Sequence, residues 1–350
     1  MPTPAFCFAQ IKFPTQVVKM SIRFSEHTIP LADIDMEDRS FRITTDADKP
    51  MAPLVASLSA VGLLSPPLLR PAKKNGFQVI SGFRRLTALR HLGVVSASCR
   101  VVEGEADRLI CQKLAVADNL CSRPLNLVEQ ALAVEKLFGL EKEMDRLCAV
   151  LSDLGMAANP TLVEKLRTLL SLPEPVLDHV ARETIPLSSA LLLAGMNGPD
   201  AQILAGVFAN LRLGANKQRE VAVLAREIAV REGISVADLF AQDKTLHGIL
   251  NDTDADRGLQ AARLRAFLEK RRFPALVQSR ERYQELEKRL KLGRRVRLCP
   301  PSFFEGADFV LELTFSGMEE FRRHAALVNR LKEDRTLEAI LSRSGDMDDV

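Results

Sequence analysis

The stretch VISGFRRLTALRHLG, from Val79 to Gly93, places two arginines directly after a glycine at the start of a helical pattern. Cations are disfavoured there. The first turn of a helix exposes unpaired N–H groups and carries about half a positive charge, so Arg84 and Arg85 each face a cost of roughly 0.3–1 kcal/mol. An anion reverses the sign. Strand, glycine and helix start together form a phosphate-binding geometry: the N–H groups point outward, and Gly82 lets a phosphate approach the backbone closely. One glycine is not a Walker loop, and paired arginines are common on surface helices. A plain solvated helix therefore stands beside the phosphate reading.

A second segment, VADNLCSRPLNLVEQALAVEKL, puts Asp118 and Asn119 at a helix end, then Arg123, then Pro124, Asn126 and Glu129 opening the next helix. Carboxylate and amide oxygens suit a hard cation such as Mg2+, which binds through one or two protein groups plus phosphates. Arg123 can take a second phosphate with both arms of its guanidinium. The structural alternative is Asn126 as a helix cap, with Asp118 and Arg123 as a surface pair.

Positioning these groups takes a mixed fold. IPLADIDM alternates and reads as a strand. Leu54, Val55, Leu58 and Val61 fall at helical spacing up to a stop at Gly62. PPLLRPA is a strand, Asn75 and Gly76 a turn, FQVI a strand and Arg84 to His91 a helix. VSASCRVVEG is a further strand and EADRLICQKLAVADNL a further helix. Beyond Pro124 strand signals vanish. Helices follow to about Phe240, one of them opened by Asn159 as cap and Pro160 at the first position. GILNDTDADRG reads as a linker. In the tail a helix with Tyr283, Leu286 and Leu290 on one face precedes strands RVRLCP and DFVLELTF and a closing helix.

The chain has 350 residues and a net charge of +3, unevenly spread. Residues 257–297 hold 14 Lys and Arg against four Asp and Glu, while the segments on either side are near neutral or acidic. Such a basic belt fits a polyanionic partner or a solvated charged helix. The six cysteines are scattered, with no CxxC, which argues against zinc and fits a reduced, cytoplasmic setting. No apolar run approaches the ~18–20 residues of a membrane span. The first 20 residues carry Pro2, Pro4 and Pro14, do not read as a signal peptide, and look like a flexible leader, with Met20 an alternative start.

Gly82-Phe83-Arg84-Arg85, with Ala88 and Gly93 beyond, resembles the GERRxRAA box of the ParB family, whose members segregate chromosomes and plasmids. Asp118-Asn119-Leu120 through Arg123, Leu125, Asn126 and Glu129 is similar to that family's ENxQRxDLNPxEEA box. SLSAVGLLSPPLLR matches the earlier SIxExGLLQPxxVR box, and order and spacing agree over roughly Ile22 to Glu135. The resemblance implies an α+β multidomain chain. A leader (1–20) would precede a mixed α/β, ParB/sulfiredoxin-like nucleotide-binding domain (21–124). An all-α helix-turn-helix domain (125–245), a basic linker (246–274), a small αββα dimerisation domain (275–335) and an acidic disordered tail (336–350) would follow.

It also implies a CTP-dependent DNA clamp: a homodimer on double-stranded, centromere-like DNA, cytoplasmic and nucleoid-associated, with a ParA-type ATPase as a possible partner and no membrane. Carried over by position, Gly62, Ser65, Gly82, Arg84, Arg85, Asn119 and Arg123 would hold the nucleotide, and Asp118 and Asn119 the Mg2+. Enzymatic activity is at most slow CTP hydrolysis, with no catalytic residue assigned. Asn159, Thr161, Lys165, Arg167 and Thr168 are the candidate DNA contacts of the helix-turn-helix, and Arg294, Arg295 and Arg297 those of the tail.

Departures matter. Phe83 stands at the acidic position of GERR, Asp118 replaces a Glu, and Cys121 or Ser122 stands for the box Gln. The turn before Pro160 is longer than the family's and lacks its Ser-Arg. The leader has only Lys12 and Lys19 in place of an arginine-rich peptide. Rival readings are a degenerate adaptor or transcriptional regulator, and a ParB-like nuclease. The nuclease would need a carboxylate or His cluster for its metals.

Overall fold

Apolar alternation along two central strands sets up the N-terminal sheet. The computed structural model describes residues 22–45, 50–72, 76–104, 107–306 and 308–342. The leader, Asn75 of the expected turn and residues 343–350 of the expected tail lie outside them. Strand β1 (Phe24–Pro30) leads through a 3-10 turn (Leu31–Asp33) to the two-residue β2 (Ile34–Asp35). The expected continuous strand over IPLADIDM is therefore broken. Pro30 ends β1, and buried Leu31 turns inward, its N–H donating to Val95 O at 2.9 Å.

Helix α1 (Met51–Val61) stops at Gly62, whose φ of 76° lets its N–H return to Leu58 O. Then come β3 (Leu68–Pro71), β4 (Phe77–Ser81), α2 (Phe83–His91), β5 (Ser96–Val102) and α3 (Arg108–Ser122). The strand order is β1-β5-β3-β4-β2, with β1 antiparallel and β3 parallel to β5, and β3 antiparallel and β2 parallel to β4. Neighbours on β4 face opposite ways. Val79 joins Leu69, Leu86, Cys99 and Leu58 on one face, and Ile80 joins Phe41, Val102, Cys111 and Ala115 on the other. Helices α1 and α2 cover the first face, and α3 covers the second.

All helices follow: α4 (Leu127–Phe138), α5 (Met144–Asp153), α6 (Pro160–Leu169) and α7 (Glu174–Ala181). Leu137, Leu147, Leu151, Val163, Leu166 and Leu169 are buried among them. Asn159 caps α6 by accepting from Leu162 N at 2.9 Å, as its sequence predicts.

The chain divides into two compact units between Glu183 and Thr184. The second holds α8 (Leu187–Ala194), α9 (Gly198–Asn210), α10 (Ala215–Glu232), α11 (Val236–Gln242), α12 (Lys244–Leu250), α13 (Arg257–Arg272), α14 (Pro274–Leu290), β6 (Val296–Cys299), β7 (Val310–Leu313), α15 (Met318–Leu331) and α16 (Arg335–Leu341). Antiparallel β6 and β7 set Leu298 opposite Leu311, over a small core of Tyr283, Leu290 and Leu331. The expected disordered tail begins instead as helix α16, capped by Asp334. No helix of the described residues is long and apolar enough to cross a membrane.

The expected basic linker is also a correction. Most of 246–274 is helical, and α13 buries Ala261, Leu264 and Leu268 against its neighbours. Four of its cations are met by carboxylates from outside the belt. Arg265 pairs with Glu220 at 2.7 Å, Arg272 with Glu227 at 2.7 Å and Arg271 with Glu232 at 2.6 Å, all on α10. Arg271 also reaches Asp243, and Arg263 pairs with Asp252 at 2.6 Å.

The Arg271 guanidinium, helped by Arg231 and opposed by partial burial, holds the Glu232 carboxyl down to about 2. A depressed carboxyl stabilises above its unfolded value and loses that contribution as pH falls from about 4.5 to about 2. Glu232→Gln should therefore cost about 1 kcal/mol at pH 7, discounted for solvent screening, and progressively less as the pH falls toward 2. Thermal melts of both proteins across that range check it: a gap that stays constant with pH would contradict the pairing.

Candidate nucleotide cleft

Gly82 turns the chain from β4 into α2 with φ 97° and ψ 18°, a left-handed conformation. A Cβ there would stand 2.9 Å from Pro67 Cβ and 3.2 Å from Arg85 Nη2, so the missing side chain makes room for Pro67 and for the arginine itself. No side chain caps α2. Its first N–H groups open onto a cleft of about 370 Å3 lined by Thr44, Leu54, Ser65, Ser81 to Arg85, Asp118, Asn119, Ser122 and Arg123.

The guanidinium of Arg85 spans the cleft wall. Nη1 donates to Ser65 O at 2.6 Å and Ser65 Oγ at 2.7 Å, and Nη2 to Asp118 Oδ2 at 3.4 Å. Ser81 Oγ also donates to Asp118 Oδ2. Arg84 swings the other way, to Pro50 O at 3.2 Å. The two arginines thus flank an uncapped helix start, with one half-exposed carboxylate beside them.

Of the expected nucleotide residues, Ser65, Gly82, Arg84, Arg85, Asn119 and Arg123 come together. Gly62 does not line the cleft and serves as the stop of α1. Asn119 has its amide nitrogen tied to Ala115 O at 2.7 Å. Arg123 has a different task from the one expected. Nη1 donates to Glu129 Oε2 at 2.6 Å and Nη2 to Oε1 at 2.5 Å, a two-armed pair with a fully buried carboxylate. Glu129 also accepts from Asn126 N at 3.2 Å and Thr45 N at 3.3 Å, so it joins the start of α4 to the segment beside Thr44. Its partner holds the Arg123 guanidinium above its ordinary value. Counted back from Asn126 and Glu129, the arginine of ENxQRxDLNPxEEA falls on Ser122, one residue before Arg123.

For a metal the protein offers Asp118 with Asn119, and no group of three His, Cys, Asp or Glu side chains among the described residues. That donor set fits a Mg2+ shared with phosphates and not an all-protein cage. Phe83, at the box's acidic position, is buried in the core with the Arg42 guanidinium 5.8 Å from its ring centre. Thr44, Leu54 and Ser81 were missed by sequence reasoning. Ser81 adjoins the motif, while Thr44 carries no signal in spacing or type.

Residues 15–117 match the family model of the ParB N-terminal domain. The match covers the N-terminal segment of the chain. A probable chromosome-partitioning protein ParB of Pseudomonas putida is 24% identical over 193 residues, 55% of this chain and 59% of the relative. A nucleoid occlusion protein of Bacillus cytotoxicus is 27% identical over 177 residues, 51% of this chain and 59% of the relative. The chain thus spans about three fifths of the length of these relatives. A C-terminally truncated ParB of Caulobacter crescentus, complexed to the centromeric parS site, aligns at 22% identity over 57% of this chain and 99% of that one, with a TM-score of 0.34.

Of the expected DNA contacts, Thr161, Lys165 and Thr168 are exposed on α6. Two are engaged. Asn159 is the cap of α6, and Arg167 donates to Glu135 Oε2 at 2.6 Å with its guanidinium 3.7 Å from the centre of the Phe138 ring. In the tail, Arg295 binds Glu320 at 2.8 Å, and Arg297 stands opposite Glu312 in the β6–β7 register. Arg294 makes no ion pair among the described residues.

Arg123→Ala should destabilise the protein by about 3–5 kcal/mol, because it removes the two-armed guanidinium from the buried Glu129 carboxylate. Glu129→Gln, which removes the charge and keeps the shape, should cost much less. Urea unfolding of both variants decides it: equal losses would mean that the pair acts by packing alone.

Proposed function

We propose that this chain is a DNA-binding partition protein of the ParB type, a dimer whose N-terminal cleft takes CTP with Mg2+ and so gates a clamp on centromere-like DNA. The observation that carries the nucleotide reading is the uncapped start of α2, set between Arg84 and Arg85 with Ser65, Ser81 and Asp118 in the same cleft. A triphosphate there would meet outward N–H groups, a helix dipole of the favourable sign and two guanidinium groups. Asp118 and Asn119 would hold Mg2+ against the phosphates, and the metal's contribution is charge neutralisation of the triphosphate. Arg123, held by Glu129, would contribute through the cleft wall.

The middle helices would read DNA through Thr161, Lys165 and Thr168 on α6. The tail would join two protomers. Phe315, Met318 and Phe321 are exposed there, with the rings of Phe315 and Phe321 edge to face at 5.0 Å, an apolar patch of the kind that partners cover. A ParA-type ATPase would be a further partner, and the nucleoid the place of action. The relatives named for chromosome partitioning and for nucleoid occlusion support this assignment to DNA.

A second reading is favoured by Phe83. With a buried ring where the box carries an acid, and with Asp118 already shared by Ser81 and Arg85, the cleft has no free carboxylate to orient water, and the chain would bind nucleotide without hydrolysing it. Calorimetry with CTP, ATP, GTP and UTP tests the main proposal. CTP with Mg2+ should give heat, and Arg84→Ala should weaken binding by ~1.5–3 kcal/mol if the arginine makes a charge-assisted bond to phosphate. No heat from any of the four at millimolar concentration would sink it.

A further inference from the structure

Two arginines of the second unit stand where their own local structure disfavours them, and both line one hollow. Arg212 follows α9 in the left-handed position that closes the helix, with φ 48°. Its N–H donates to Ala209 O at 3.2 Å, and Leu213 N to Phe208 O at 3.0 Å. Glycine is the ordinary occupant of that position, because a Cβ is strained there. Arg257 is the first residue of α13, where a cation opposes the helix dipole. The hollow between them has a volume of about 810 Å3 and is lined by Thr184, Phe208 to Leu213, Leu250, Arg257 and Gln260.

No carboxylate lines it. Two acids adjoining Arg257 and Gln260 have other partners: Asp256 caps α13 at Leu259 N, 2.9 Å away, and Asp252 pairs with Arg263. Arg212 and Arg257 are both exposed and make no ion pair among the described residues. This sets them apart from Arg263, Arg265, Arg271, Arg272 and Arg280, which all face carboxylates. Attraction between Arg212 and the C-terminal end of α9 would explain its charge, but not the choice of a strained side chain over glycine. It would not explain Arg257, which sits at the wrong helix end.

Resting on the proposed DNA-binding function, we propose that this hollow is a phosphodiester site, in which Arg212 and Arg257 grip the backbone of a nucleic acid without reading its sequence. Local rules broken in pairs at one concavity mark function better than packing. The volume is that of a site for a small molecule or chain segment rather than a lone ion. Guanidinium forks match phosphate oxygens in geometry and charge.

The test uses the full chain, a fluorescent duplex of random sequence and anisotropy across salt. Arg212→Gly relieves backbone strain and Arg257→Gln removes a cation from a helix start, so neither variant should lower Tm. The double variant should bind the duplex at least tenfold more weakly near 100 mM salt. Its salt slope should flatten by about two, one unit for each lost phosphate contact. Unchanged affinity and slope, with wild type binding normally, would overturn the site and leave the DNA reading standing. Failure of the wild type to bind any duplex would overturn both. A double variant that loses binding to phosphatidylglycerol vesicles but keeps the duplex would place a membrane there and overturn the proposal as well. Inorganic phosphate at constant ionic strength should compete only weakly, and full displacement at millimolar concentration would assign the hollow to free phosphate instead.

Discussion

The turn at Gly82 is the constraint on which the N-terminal unit depends. With φ 97° and Pro67 where a Cβ would be, the chain leaves β4 and enters α2 without room for a capping side chain. The first N–H groups of α2 are left to the cleft, and Arg84 and Arg85 are carried to its two sides. Each arginine then finds an oxygen: Arg85 at Ser65 and Asp118, Arg84 at Pro50. The dipole cost of placing cations at a helix start is met partly by these acceptors. The remaining field is positive and points into a concave space, which is the electrostatic condition for holding a polyphosphate.

Net charge along the chain is a poor guide to the field around the fold. The belt from Arg257 to Arg297 carries a surplus of ten cations in sequence, yet the acids that answer it lie at Glu220, Glu227, Glu232, Asp243 and Asp252. Glu220 and Glu227 stand one heptad apart on α10, and so do Arg265 and Arg272 on α13, so the same helix faces meet twice. Exposed pairs of this kind add little each, and their effect here is to quench a surface. What positive field the second unit keeps comes from cations outside these pairs.

Much of the architecture was legible because it rests on local signals. Glycines 62 and 82 mark a helix stop and a helix start, Asn126 and Asn159 cap their helices, and alternation along β4 and β5 divides two core faces. The linker was misread because its apolar residues are sparse. Ala261, Leu264 and Leu268 give α13 one narrow stripe in a sea of charge, and helices distant in sequence, α10 among them, make that stripe a core contact. The break at Leu31 was hidden because a 3-10 turn and a short strand share the same alternating pattern. In the cleft, the types and order of Gly82, Arg84, Arg85 and Asp118 were readable. The partner of Arg123 was not, although Asn126 and Glu129 spell a capping box. A glutamate three residues into a helix can serve the cap alone, and here it serves the cap and a guanidinium together.

That double use changes how the cleft handles charge. A phosphate that drew Arg123 away would strand Glu129, which has no exposed surface, and the desolvation cost of a lone buried carboxylate exceeds the value of one charge-assisted bond. Arg123 therefore stays with Glu129 as long as that carboxylate is ionised and buried. In the proposed nucleotide site the anion would then fall to Arg84, Arg85 and the N–H groups of α2. Phe83 pulls in the same direction. Its ring, buried between α2 and the sheet, anchors the first turn of α2 to the core, where an acid would have turned toward solvent and metal. The cleft is built to hold negative charge firmly on a rigid helix start, with its one accessible carboxylate, Asp118, already shared by Ser81 and Arg85. If the proposed nucleotide binds there, its capture would rest on charge, and water would have few free groups to activate it.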